Sequence, residues 1–271
     1  MLNRRDLFSL TPLVLLPAVL GPRSNVLRAS SPPVVDATFP SQPYATVKDM
    51  VIASHGNVAK VRELVGRQPA LAKAAIDWGY GDWEDALGAA SHVGNREIAE
   101  FLIANGARPS IFSAAMLGQL DAVKAFVAAM PGCEAIHGPH SITLLRHALA
   151  GGPAAQAVLD YLKTLPGSDR KPATQPLSAA EIAALSGTYA FGANAGDRFV
   201  VSATNASMTA SGWSLQIARG DFFPRGLAHL GDHAFYPSGA TSVRLRFANA
   251  GGKVTVSVFD PELLVTAEKV G

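Results

Sequence analysis

The chain has 271 residues, 48% of them hydrophobic and 16% charged, with one cysteine, 25 glycines and 18 prolines. These values exclude a disordered chain, a disulfide-stapled miniprotein and a collagen-like repeat, and the length suits one or two domains that each bury a core. Arg4, Arg5, Arg23 and Arg28 face only Asp6 in the first thirty positions, leaving 19 basic against 20 acidic side chains in the rest. A body so near neutrality lacks the positive footprint that phosphate recognition needs, so nucleic acid is not an expected partner.

Residues 3–20 join a short basic region to an apolar run from Thr11 to Leu20, interrupted by Pro12 and Pro17. The run is shorter than the ~20 residues that span a bilayer. Arg4-Arg5, then Asp6 and the apolar pair Leu7-Phe8, resembles a bacterial twin-arginine export signal. Asn3 stands where Ser or Thr is commoner, and no Lys follows the apolar pair. The resemblance implies export to the periplasm; an ordinary secretory signal or an uncleaved anchor is the alternative. Residues 1–29 read as the signal peptide, with cleavage after Ala29, and residues 30–43, carrying Pro32, Pro33, Pro40 and Pro43, as an extended lead-in. No membrane span is expected after signal removal, and Cys133, being alone, forms no intramolecular disulfide.

Between residues 44 and 166 one pattern occurs four times: a small residue, two variable residues, Gly, and an apolar pair eight and nine residues further on. The copies are Ala53-Ser54-His55-Gly56 with Leu64-Val65, Ser91-His92-Val93-Gly94 with Leu102-Ile103, Ala115-Met116-Leu117-Gly118 with Phe126-Val127, and Ala148-Leu149-Ala150-Gly151 with Tyr161-Leu162, the last stretched by two residues. Physically this is a helical hairpin. The small residue lets a second helix approach, Gly supplies a left-handed helix end, and the apolar pair joins Val61, Ile98, Val123 or Val158 in a helical stripe. One hairpin cannot bury such stripes, whereas a stack can. The copies resemble the ankyrin repeat, most clearly from Leu87 through Gly94-Asn95 to Gly106-Ala107. That resemblance implies a helical solenoid that binds protein partners on its concave face. Two departures stand out: the Thr-Pro-Leu-His start of that family is absent, and the marker glycines are 38, 24 and 33 residues apart. The first connection is therefore expected to be long and the second to lack most of its finger.

Residues 167–176 have the polar, proline-bearing composition of a linker, across which two domains would move independently. A short helix is expected at 178–185, with Ser178 and Glu181 forming a capping box. Period-two alternation then marks eight strands at 188–192, 197–203, 213–218, 226–230, 234–237, 242–248, 253–259 and 263–267, separated by hairpin turns. The 177–271 module is thus a small antiparallel β-barrel or curled meander sheet. Its order of residues, from Gly187-Thr188-Tyr189 to Gly252-Lys253-Val254, resembles the lipocalin-like modules that follow secreted hydrolases. The expected fold class is α+β in two domains, an ankyrin-like solenoid followed by this β-module.

No catalytic motif is present: there is no nucleophile elbow, phosphate loop, paired-histidine zinc motif or dinucleotide fingerprint, and Ser168-x-x-Lys171 lies in the linker without its partner motifs. No enzyme activity, cofactor or metal is expected. His137-Gly138-Pro139-His140 has a spacing that could hold a metal with a third ligand, but no cysteine or evident carboxylate accompanies it. The segment from Asp77 to Asp85 holds two of the three tryptophans and four acidic residues beyond its glycines and tyrosine. Trp78, Tyr80, Asp82, Trp83 and Glu84 are its candidate partner-binding residues, because large aromatic side chains contribute contact area at low entropic cost. Packing of the irregular connection is the competing reading for the same residues. In Asp221-Phe222-Phe223-Pro224-Arg225, alternation is expected to turn one ring into the core. The function expected from the resemblance is an exported protein-binding or scaffolding role. The alternatives are a small ligand held by the β-module and an enzyme using carboxylates such as Asp77, Asp82 or Glu84.

Overall fold

Apolar residues at helical spacing produce four helical pairs in succession: α1 (Tyr44–Ala53) with α2 (Val58–Arg67), α3 (Ala86–His92) with α4 (Arg96–Ala104), α5 (Ile111–Met116) with α6 (Leu120–Ala129), and α7 (Leu144–Ala150) with α8 (Gln156–Lys163). The structure, a computed structural model, describes residues 36–171, 173–204 and 213–271. The expected signal peptide lies outside the described residues. No described helix is long and apolar enough to cross a membrane.

The first helices α3 and α5 are short and rich in small residues, with Ala89, Ala90 and Ser91 on α3 and Ser113, Ala114 and Ala115 on α5 all buried. Small side chains allow close approach, and α1 packs on α3, α3 on α5 and α5 on α7, in chain order. On the second helices the expected stripe is buried at Val61, Leu64 and Val65 on α2, Ile98 and Leu102 on α4, Val123 on α6, and Val158 and Leu162 on α8, whereas Ile103, Phe126, Val127 and Tyr161 are half-buried. Side-chain caps satisfy the free amides at helix starts, from Asn57 on α2, Asp85 on α3, Asn95 on α4 and Thr143 on α7. The long first connection forms a hairpin of β1 (Ala75–Asp77) and β2 (Trp83–Asp85), with Ile76 opposite Glu84.

The marker glycines divide into two groups. Gly94 and Gly118 take the left-handed conformation expected of them, each at φ 76°. Gly56 and Gly151 do not; Gly151 has φ −68° and is needed because a Cβ there would collide with the Met116 carbonyl. Gly94 also touches the Ala150 carbonyl, so close helix approach adds to the conformational demand.

After the helical pairs comes α9 (Ala179–Leu185), begun by the expected Ser178–Glu181 capping box. The strands β3 (Gly187–Ala190), β4 (Arg198–Ala203), β5 (Leu215–Ala218), β6 (Arg225–Gly231), β7 (Ala234–Pro237), β8 (Arg244–Ala250), β9 (Lys253–Asp260) and β10 (Leu263–Lys269) follow. Each pairs antiparallel with the next, and β10 closes on β3, so the module is a closed meander barrel and not a curled open sheet. Closure removes the free edges that an open sheet would expose. Tyr189, Phe199, Ile217, Leu227, Phe235, Leu245, Phe247 and Val258 fill its interior, and Leu185 of α9 joins them.

Residues 167–176 are not free, despite their linker composition. Ser168 is buried with its hydroxyl donating to the Leu162 carbonyl at 2.7 Å, and the Gln175 amide donates to the His229 carbonyl of β6 at 2.8 Å. Pro40 to Gly271 forms one compact unit. The independent motion expected from composition is opposed by contacts between the helical pairs and the barrel, where Asp82 pairs with Arg225 and the Gly239 amide donates to Ser141 Oγ at 2.8 Å.

Gly94→Ala is expected to lower the unfolding free energy by about 2–4 kcal/mol, through backbone strain and collision with Ala150. Gly56→Ala, in open space at an ordinary φ, should change it by no more than about 0.5 kcal/mol. Urea denaturation of both variants checks the contrast.

Candidate metal centre

The β1–β2 hairpin carries the acidic aromatic segment, and alternation along its second arm decides which side chains face inward. Asp82 and Glu84 are 2% and 1% exposed, whereas Trp83 between them is 65% exposed. Asp77 stays at the turn, where its carboxylate accepts from the Gly79 and Gly81 amides at 2.8 and 3.1 Å. Tyr80, in a left-handed conformation at the tip, packs against the barrel core, and burial pushes its hydroxyl up to about 12. Trp78 is buried and donates its indole N–H to Glu84 Oε2 at 2.7 Å. Of the five candidate partner-binding residues, Trp83 alone is open to solvent; Trp78, Asp82 and Glu84 are buried, and Tyr80 binds the chain's own barrel.

Glu84 lies among three histidines drawn from separate segments. His55 follows α1, His92 ends α3, and His140 lies in the short turn Pro139–Ser141 before α7. His92 Nδ1 is 3.0 Å from Glu84 Oε1, His140 Nε2 is 3.4 Å from Oε2, and His55 Nε2 is 3.6 Å from Oε2. One donor atom from each of the four residues lies within 4.8 Å of all the others. The imidazoles meet edge to face, His55 against His92 at 4.9 Å and His92 against His140 at 5.5 Å between ring centres.

The outward nitrogens of two of these rings are anchored. His55 Nδ1 faces the Val51 and Ile52 carbonyls at 3.1 and 3.2 Å, and His140 Nδ1 donates to Asp82 Oδ2 at 2.7 Å. A proton held on Nδ1 leaves the Nε2 lone pair directed at Glu84, the arrangement that metal-ligating histidines adopt. His140 has φ 61°, and this left-handed backbone turns its amide as well as its ring onto Asp82, the amide donating to Oδ1 at 2.9 Å. Glu84 Oε1 and His92 Nδ1 are buried with no hydrogen-bond partner; their mutual 3.0 Å approach is off the hydrogen-bonding line.

Two carboxylates are buried here, and the nearby fixed cation is Arg225 of β6, which pairs with Asp82 Oδ2 and donates to the Ser238 carbonyl at 2.6 Å. Burial disfavours the charged forms throughout, lowering His55 and taking His147, whose Nδ1 faces the Thr143 carbonyl at 2.9 Å, down to about 4. At His140 the hydrogen bonds and charges of Asp82 and Glu84 overcome burial and raise it to about 9. At Glu84 the contacts and charges of His140 and His92 overcome burial and hold its carboxyl well below the usual carboxylate range.

His140 was visible as half of the His137–His140 pair, but His137 is not its partner, because His137 Nε2 faces the Arg170 carbonyl at 2.6 Å. The carboxylates come instead from the hairpin, more than fifty residues earlier in the chain. His55 and His92 carry a weak sequence signal, each standing within the tetrapeptide that ends the first helix of its repeat. Arg225 carries none. Near it, both rings of Phe222-Phe223 are exposed, at 62% and 43%, correcting the expectation that one would fill the core. They precede β6 and so escape strand alternation, and Phe223 packs edge-on against Trp78 at 4.7 Å.

Replacing Trp78 by Phe deletes a hydrogen bond to a buried carboxylate and should cost about 1.5–3 kcal/mol of stability. Trp83→Ala, exposed on the second strand of the same hairpin, should stay within about 0.5 kcal/mol of the parent. Chemical denaturation monitored by circular dichroism separates the two. No family model matches the chain, and no curated protein matches it.

Proposed function

We propose that this protein is an exported scaffold built around a buried transition-metal ion of the zinc class, bound by His55, Glu84, His92 and His140. The observation that carries this reading is the convergence of four donor atoms within 4.8 Å, in a cluster where Glu84 Oε1 and His92 Nδ1 are buried and without a hydrogen-bond partner. A tetrahedral ion bonded to nitrogen at about 2.0–2.1 Å holds its donors about 3.4 Å apart, within reach of the spacing found here by small side-chain rotations. Imidazole and carboxylate donors suit zinc and its first-row neighbours better than calcium or magnesium, which prefer oxygen. Four protein donors complete a tetrahedron, as in structural sites. The ion would tie together the ends of α1 and α3, the hairpin and the turn before α7. This proposal replaces the sequence expectation of a chain without metal.

The ankyrin-like reading of residues 44–166 belongs to the same proposal, supported by first helices that pack in chain order. Periplasmic location is supported by the twin-arginine-like start of the sequence. Protein binding is the second reading for the helical surface, favoured by the exposed indole of Trp83 beside the buried centre. A ligand within the barrel finds no support among the described residues, whose inward side chains fill the interior.

Elemental analysis of the purified chain is expected to find about one zinc per molecule, with loss in Glu84→Gln and in His92→Ala. Cobalt substitution should give the intense visible bands of a tetrahedral site. With free zinc about 100-fold above its Kd, stability should rise by about 2.7 kcal/mol. A folded parent chain that takes up neither ion would end this reading.

A further inference from the structure

Resting on the metal-centre reading, we propose that the barrel completes the centre through Arg225, a positioning residue that holds Asp82 against the ligand His140, so that metal binding and docking of the barrel onto the helical pairs are coupled. Asp82 is the hinge of this relay. Its carboxylate accepts from the His140 amide at 2.9 Å, from the His140 Nδ1–H at 2.7 Å and from Arg225 Nη2. Nη2 and His140 Nδ1 are 3.4 Å apart and are both donors toward Oδ2, so the carboxylate is what keeps these two groups together. Arg225 is in turn fixed by the Ser238 carbonyl and hydroxyl, at 2.6 and 3.3 Å.

The approach of the barrel is built for this contact. Gly239 has φ 84°, and a Cβ on it would overlap the Asp82 carboxylate, so the 238–239 turn reaches the relay only as glycine. The Gly239 amide donates to Ser141 Oγ at 2.8 Å, one residue beyond the ligand. Asp82 and Arg225 are both almost fully buried, which strengthens the pair and leaves no water to replace either partner. A ligand imidazole whose Nδ1–H is held by a carboxylate is a better and better-aimed donor, and loss of such an outer partner weakens metal binding about 10–100-fold. By reciprocity, whatever factor docking of the barrel adds to metal affinity, the ion adds to docking of the barrel.

The test uses the full chain and zinc alone. Affinity is measured by competition with a chromophoric chelator for the parent, Arg225→Met and Arg225→Lys, with circular dichroism confirming folding. Arg225→Met is expected to bind one zinc several-fold more weakly than the parent, less than the about 10–100-fold lost when a ligand's own outer partner is removed, and Arg225→Lys, which keeps the charge, to recover part of the loss. A folded Arg225→Met with parental affinity overturns the relay and leaves the centre standing; a parent that binds no zinc overturns the centre itself. Hydrogen exchange on the parent needs no variant: amides of residues 225–239 should exchange more slowly with zinc than after chelation. Unchanged exchange in a chain shown to bind zinc overturns the coupling.

Discussion

Two carboxylates, two residues apart in one hairpin and both withdrawn from water, set the terms for everything around them. Asp82 and Glu84 would be unstable in an apolar interior without compensation. Their compensation is drawn from across the chain: an indole from the same hairpin, imidazoles after α1, at the end of α3 and before α7, and a guanidinium from the barrel. Removing that pair of acids from the hairpin would leave His92 and His140 without their carboxylate partners and the barrel without its ionic contact. The helical pairs, the hairpin and the barrel therefore meet at one electrostatic problem.

The hairpin owes its role to its length and its alternation. The wide spacing between the first two marker glycines leaves room for two short strands, and period two sends Glu84 inward and Trp83 outward. Its tip carries Tyr80 to the barrel core. A segment whose composition suggests a surface for a foreign partner is instead mostly engaged with its own chain, and the exposed indole of Trp83 is the part left for another molecule. In the proposed reading the metal ion and Arg225 act on opposite ends of the same carboxylate pair, one through Glu84 and His140, the other through Asp82.

Much of the architecture could be read from the residues in order. Four helical pairs, the capping box at Ser178 and eight barrel strands all follow from local rules, because periodicity, caps and turn residues act over a few positions. Gly94 and Gly118 fit their expected role for the same reason, and Gly151 does not, since its constraint is a carbonyl from a different helix. Phe222 and Phe223 show a related limit, as alternation says nothing of residues just outside a strand.

The sequence by itself determined which segments become helix or strand and which loop concentrates acids and aromatics. Only the tertiary structure decided that Glu84 meets His55, His92 and His140, and that Asp82 meets Arg225, 143 positions further along the chain. Neighbours along a helix or strand are set by local geometry, but partners in a buried charge cluster are set by how whole elements pack. No spacing in the chain records that packing. Barrel closure is of the same kind: each hairpin is legible locally, whereas the pairing of β10 with β3 depends on the twist accumulated over all eight strands.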